Sequence, residues 1–167
     1  MTVKRFMILS ALAIALAVPA WSAAQDAVLE QYKTQATAAD SAFAGFSAEH
    51  GKAFFLSTNT GGGADTPSCT SCHTSNPVNA GQTRAGKAIG PMAVSASPGR
   101  FTDFAKTEKW FTRNCKTVLG RECTPQEKGN FITYMFGLQG ERPCALKLLF
   151  YLSQSPAFRR LLRVLDR

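Results

Sequence analysis

Hydrophobic and polar positions change rhythm several times along this chain. Lys4 and Arg5 precede an apolar run from Phe6 to Val18, and the small-residue triplets Ala20-Trp21-Ser22 and Ser22-Ala23-Ala24 close it. A basic start, a short apolar stretch and a small-residue cleavage site predict a secretory leader over residues 1–24, with export to the periplasm. The run is short for a membrane span. Residues 25–46 are alanine-rich with Val28, Leu29 and Tyr32 near their start, and predict an N-terminal helical extension over Asp26–Phe46. Ser47 then suits a helix N-cap, Ala48 and Glu49 its first turn, and Phe54-Phe55-Leu56 its apolar face. The following "TNTGGGADTPS" (58–68) reads as a flexible loop, because three consecutive glycines do not hold a helix cheaply.

Residues 69–100 are punctuated by Gly, Pro and Ser with little periodicity, and a helical pattern resumes from about Asp103 to Lys116. A stronger signal follows. Thr124 as N-cap, Pro125 at the first helical position and Glu127 at the third make a capping box, with Phe131, Tyr134, Met135 and Leu138 at helical spacing behind it. No run alternates as a strand should. Residues 47–140 therefore predict a small all-α domain of short helices on long loops, an arrangement that needs something other than side chains at its centre. In the tail, 141–167, Phe158, Leu161, Leu162 and Leu165 share one helical face while Arg159, Arg160, Arg163 and Asp166 face away. Such a basic amphipathic segment suits contact with an anionic membrane surface or a partner, or packing on its own domain.

Charge adds one exclusion. Of the formal +8, two charges sit in the leader and a surplus of four in residues 141–167, which leaves +2 for residues 25–140. No basic patch interleaved with aromatics appears there, so no nucleic-acid partner is expected.

The cysteines carry the chemistry. There are five: Cys69, Cys72, Cys115, Cys123 and Cys144. In an exported chain each needs a partner or a covalent use, and the odd count leaves one over. Cys69-Thr70-Ser71-Cys72-His73 is C-x-x-C-H, the attachment pattern of haem c. Two thiols on one helical turn can both add to the haem vinyl groups, and the adjacent His73 is placed to ligate the iron. Structural zinc would want a second ligand pair at C-x-x-C or H-x-x-H spacing, which the chain lacks. A thioredoxin-like pair would want a βαβ setting. Gly90-Pro91 either offers a carbonyl to orient His73 through its free ring nitrogen or is a simple turn. His50, the other histidine, is expected to face solvent or the N-terminal helix.

The sixth iron position decides what such a haem does. The candidates are Met92, Met135, His50 and Asn114. Met135 fits core packing, and Met92 lies close in sequence to His73. Asn114 is either a ligand or a helix-end residue; an amide oxygen is a hard, weak donor that suits ferric iron better than ferrous.

The segments "GKAFFLS", "PSCTSCHTSNP", "AGQTRAGKAIGPMAVSA", "RFTD", "EKWFTRNCK" and "GRECTPQEKGNFITYM" occur in that order, and together they resemble the sphaeroides haem protein (SHP) family, small oxygen-binding cytochromes c of class I type. The resemblance covers Asp26 to Leu138. It implies a single covalent haem c held by Cys69 and Cys72, with His73 as proximal and Asn114 as distal ligand. It also implies a disulfide beside the asparagine, between Cys115 and Cys123, whose short loop is worth roughly 2–3 kcal/mol. Expected ligands are oxygen, nitric oxide and similar diatomics, and the expected electron donor is a dihaem cytochrome c. Arg84, Lys87 and Arg100 are candidates to compensate the haem propionates, and Trp110 and Phe111 to line the pocket. Two further functions stay open: a low-spin electron carrier with Met92 as sixth ligand, and a haem-based reductase or oxygenase of small oxygen or nitrogen species.

Overall fold

A computed structural model describes residues 22–138. The leader lies outside them except for Ser22–Ala24, and so do the tail and Cys144. Five helices and one tiny hairpin follow in order: α1 (Ala23–Ala39), α2 (Ala48–Leu56), α3 (Thr70–His73), β1 (Gly81–Gln82), β2 (Ala88–Ile89), α4 (Phe104–Leu119) and α5 (Pro125–Gly137). The predicted all-α character holds, with one addition. Strands β1 and β2 pair antiparallel, Gly81 opposite Ile89 and Gln82 opposite Ala88. A ladder of two residues per strand is too short to leave a period in the sequence.

Local chemistry explains the boundaries. Ser22 caps α1, and Gln25 returns the bond to complete a capping box. Helix α1 stops at Ala39, seven residues short of the predicted end, because Asp40 turns the chain: its Oδ1 accepts from the Ala42 N–H at 2.9 Å. Ser47 caps α2 by accepting from the His50 N–H. Asp103 caps α4, and the same helix ends at Gly120, whose φ of 71° closes it in the left-handed conformation. Thr124, Pro125 and Glu127 start α5 as predicted.

The core forms where α5 packs on both α1 and α2. Val28, Tyr32, Phe55, Ile132 and Met135 are its most enclosed side chains, each contributing roughly 1.5–3 kcal/mol by burial. Residues 25–46, expected as an extension ahead of the domain, thus supply part of the domain's own core. Aromatic rings continue outward from it: Phe111 meets Phe131 edge-on at 5.5 Å, and Tyr32 meets Phe111 edge-on at 5.9 Å.

A polar knot ties three helices together inside this apolar setting. The Tyr32 hydroxyl donates to Glu108 Oε2 at 2.6 Å, and the buried Lys128 ammonium pairs with Glu108 Oε1. Lys128 also lies over the Tyr32 ring at 5.8 Å. Burial, then the bond and negative charge of Glu108, push the Tyr32 pKa well above the ordinary tyrosine range. The knot thus joins α1, α4 and α5.

Candidate haem site

The attachment motif forms a single helical turn. His73 N–H and Cys72 N–H both donate to the Cys69 carbonyl, at 3.1 and 3.3 Å. Ser68, buried just ahead, accepts from the Thr70 N–H at 3.2 Å and the Thr70 hydroxyl at 2.9 Å. Strand β1 supports the turn from behind: a Cβ on Gly81 would overlap the Cys72 carbonyl, so only glycine lets the strand come this close. Thr74, directly after His73, has φ 59° and ψ 167°, a region suited to glycine that costs a side-chain-bearing residue about 1–3 kcal/mol. Strain therefore sits beside the proposed ligand.

Cys69 and Cys72 are not joined to each other by a disulfide. Burial pushes the Cys69 thiol up to about 11, so it stays protonated, unlike the activated thiolate of a dithiol oxidoreductase. Among the described residues no cluster of three His, Cys, Asp or Glu could hold a metal ion, which leaves a zinc site without its other ligands. Burial, then the positive charge of Arg100, lower the His73 pKa, which favours the neutral imidazole, the form that ligates metals.

One cavity of about 960 Å³ brings the predicted groups together. Cys69, Cys72 and His73 line it from α3, Met92 from the loop after β2, and Trp110, Phe111 and Asn114 from α4. The volume lies near the upper end of the roughly 300–1,000 Å³ common for cofactor sites. Asn114 shares the helical stripe of Thr107, Phe111 and Val118. Its carboxamide makes no hydrogen bond within the described residues and is exposed to the cavity. Met92 is half-buried against the core, its backbone N–H held by the Pro77 carbonyl at 2.8 Å. Met135 is fully buried in the core and His50 lies exposed on α2, as expected for both.

Two polar features fit a haem. His73 Nδ1 is covered by protein and has no hydrogen-bond partner among the described residues, so a cavity-side metal would be held by the other ring nitrogen, Nε2. Arg100 is partly buried on the cavity wall and pairs with no carboxylate among the described residues; its Nε and Nη2 donate to the Pro91 and Gly90 carbonyls at 2.9 and 2.6 Å. A desolvated cation of this kind suits a haem propionate. The Gly90 and Pro91 carbonyls thus serve Arg100, a role that neither sequence reading of Gly90-Pro91, an acceptor for His73 or a simple turn, names. Arg84 pairs with Asp65 at 2.8 Å instead of standing free, and Lys87 lines the cavity.

Sequence reasoning missed the part played by Gln25. Its buried amide donates to the Pro98 and Arg100 carbonyls, both at 2.9 Å, and so fixes the segment that carries Arg100. A glutamine in an alanine-rich helix gives no cue to that. Cys115 and Cys123 form a close, buried pair with Cα atoms 5.6 Å apart, a separation a disulfide spans.

These features define a c-type cytochrome with one covalently attached haem, and comparison with known proteins gives its relatives. Residues 41–135 match the family described as a domain of unknown function (DUF1924). The cytochrome c-type protein SHP of Cereibacter sphaeroides is 58% identical over 88 residues, covering 53% of this chain and 68% of that protein. Cytochrome c'' of Methylophilus methylotrophus is 48% identical over 68 residues, covering 40% of this chain and 47% of its own. The structure of oxidized SHP, described as an oxygen-binding cytochrome c, superposes with a TM-score of 0.63 at 47% identity, over 68% of this chain and 96% of that one. Oxidized cytochrome c'' gives 0.60 at 36% identity, over 70% and 96%. The chain belongs to the DUF1924 family and is an SHP-type cytochrome c.

Proposed function

We propose that this chain is a periplasmic high-spin cytochrome c that binds oxygen, nitric oxide or similar diatomics, with Asn114 as a redox-labile distal ligand. The observation that carries the reading is the Asn114 carboxamide, which makes no hydrogen bond within the described residues and faces the cavity that His73 lines. Haem iron, when bound, supplies a one-electron redox change and an axial position for a small ligand. The Cys69 and Cys72 thiols would each add across a vinyl group, S–H to C=C, and fix the cofactor. Neutral His73 would be the proximal ligand and Arg100 a propionate partner. As a hard, weak donor, the Asn114 amide oxygen would suit ferric iron better than ferrous. Its N–H₂ group would be placed to donate to a diatomic in the cavity. A Cys115–Cys123 disulfide braces the turn that carries Asn114. The expected electron donor is a dihaem cytochrome c, in keeping with the resemblance to the SHP family.

Met92 lines the same cavity, which makes a low-spin electron carrier the second reading. Absorption spectra of the ferric and ferrous holoprotein, with and without carbon monoxide, decide between the two. A high-spin ferrous haem that takes up carbon monoxide at once is expected. A low-spin ferrous spectrum indifferent to carbon monoxide would establish methionine ligation and remove Asn114 from the iron.

A further inference from the structure

We propose that Gly61–Gly63 form a strap that positions Asn114, by anchoring the last turn of α4 to the segment leading into the haem-attachment turn. The proposal rests on the reading of Asn114 as the distal ligand. It starts from the close approach of two backbones. Gly63 N–H donates to the Thr117 carbonyl at 2.8 Å, and the Thr66 hydroxyl reaches the same oxygen at 3.4 Å. A Cβ on Gly62 would overlap the Thr117 carbonyl and come within 2.5 Å of the Val118 carbonyl carbon. A Cβ on Gly61 would overlap the Leu119 carbonyl, and one on Gly120 the Gly61 carbonyl. All these neighbours are main chain, so no side chain can rotate to make room.

The strap is itself anchored. Asn59 N–H donates to the Pro67 carbonyl at 2.7 Å and closes the loop at its base, and Pro67-Ser68 lead directly into Cys69. Asp65 bonds Arg84 at 2.8 Å and links the strap to the β1–β2 hairpin. The loop therefore connects the proximal wall of the cavity to the distal helix.

Its grip falls one turn beyond Asn114, where helix geometry pairs the Asn114 carbonyl with the Val118 N–H. A helix end left to itself frays, because its last carbonyls lack intrahelical partners. Here the strap occupies one of them from outside, and the Cys115–Cys123 pair restrains the same turn from within. With the backbone held on both sides, the amide can leave the iron only by side-chain rotation. The strap thereby sets how readily the ferric state opens.

Stopped-flow binding of cyanide to the ferric holoprotein and of carbon monoxide to the ferrous holoprotein tests this with Gly62→Ala. The cyanide rate is expected to rise roughly fivefold, the factor that about 1 kcal/mol of lost restraint commands. The carbon monoxide rate should hardly change, since the reduced protein has already released the amide. Val28→Ala, a core truncation in α1 away from the cavity, serves as a control for general loosening and should leave both rates alone. In an Asn114→Ala background Gly62→Ala should add nothing to the cyanide rate. An unchanged cyanide rate in Gly62→Ala, the same rise in Val28→Ala, or a further rise on top of Asn114→Ala would each overturn the strap. Asn114→Ala alone leaving the ferric spectrum and cyanide rate intact would instead remove the ligand reading beneath it. Should Gly62→Ala not fold, Gly63→Ala is the gentler variant. Its Cβ comes within 2.9 Å of the Thr66 hydroxyl and only within ordinary contact, 3.7 Å, of the Thr117 carbonyl, and a smaller change of the same signs is expected; no change in its cyanide rate would refute the strap equally.

Discussion

Replacing Glu108 by leucine strands a buried cation, and the size of the effect can be worked from the structure. The Lys128 side chain is 7% exposed and that of Glu108 33%. Removing one partner of a buried ion pair costs about 3–5 kcal/mol, and the partial exposure of Glu108 places this pair at the low end, about 3 kcal/mol. Tyr32 loses its acceptor as well, adding about 1 kcal/mol. A domain of about 115 residues has an unfolding entropy of about 0.25 kcal/mol/K, so a loss of about 4 kcal/mol lowers Tm by about 16 °C. Far-ultraviolet circular dichroism of the holoprotein reads this directly. Glu108→Leu combined with Lys128→Met should recover most of the loss, because an apolar pair of similar volume replaces the ion pair at little cost. A Tm drop below about 4 °C for the single variant, corresponding to about 1 kcal/mol, would refute the argument. So would a double variant no more stable than the single one.

Cys115→Ala with Cys123→Ala opens a loop of sequence separation 8; loop-closure entropy predicts a loss of about 2.5 kcal/mol, seen as a Tm lower by about 10 °C, and an unchanged Tm would mean the two sulfurs are not bonded. Asn114→Ala should leave Tm within about 2 °C, since the side chain is exposed to the cavity and makes no hydrogen bond within the described residues, while the ferric absorption spectrum and the cyanide-binding rate both change. Tyr32 has its pKa raised by burial and then by Glu108, so the neutral phenol is favoured in the folded state. Its contribution is whole below the unfolded value of about 10 and is lost as pH rises beyond it. Tm measured across that range should fall more steeply in the wild type than in Tyr32→Phe.

Short-range chemistry made much of this fold readable. Thr124, Pro125 and Glu127 announce α5 because capping is written within four residues, and Ser47 and Asp103 act the same way for α2 and α4. The C-x-x-C-H turn is equally local. What stayed hidden depends on distant neighbours. Three glycines report freedom in the unfolded chain, and nothing in them tells that Thr117 and Leu119 will lie against them. Arg84 and Arg100 look alike in sequence; Asp65 engages the first, whereas the second is partly buried beside His73 with no carboxylate partner among the described residues. Lys128 reads as a surface charge until Glu108 and Tyr32 arrive from two other helices. The end of α1 was misplaced because alanine marks no boundary, and the Asp40 turn that ends it is a single side-chain bond.

Trp110 is 48% exposed on the wall of the cavity, with the Arg113 guanidinium 5.7 Å from its ring centroid. The chain has two tryptophans, and the other, Trp21, falls within the expected leader. Removal of that leader would leave the mature protein with a single indole, placed against its own chromophore. Emission from Trp110 would drain into the covalently held haem by energy transfer while the domain is folded and reappear when the chain unfolds. The molecule would thus carry an internal optical gauge of unfolding, readable in dilute solution without any label.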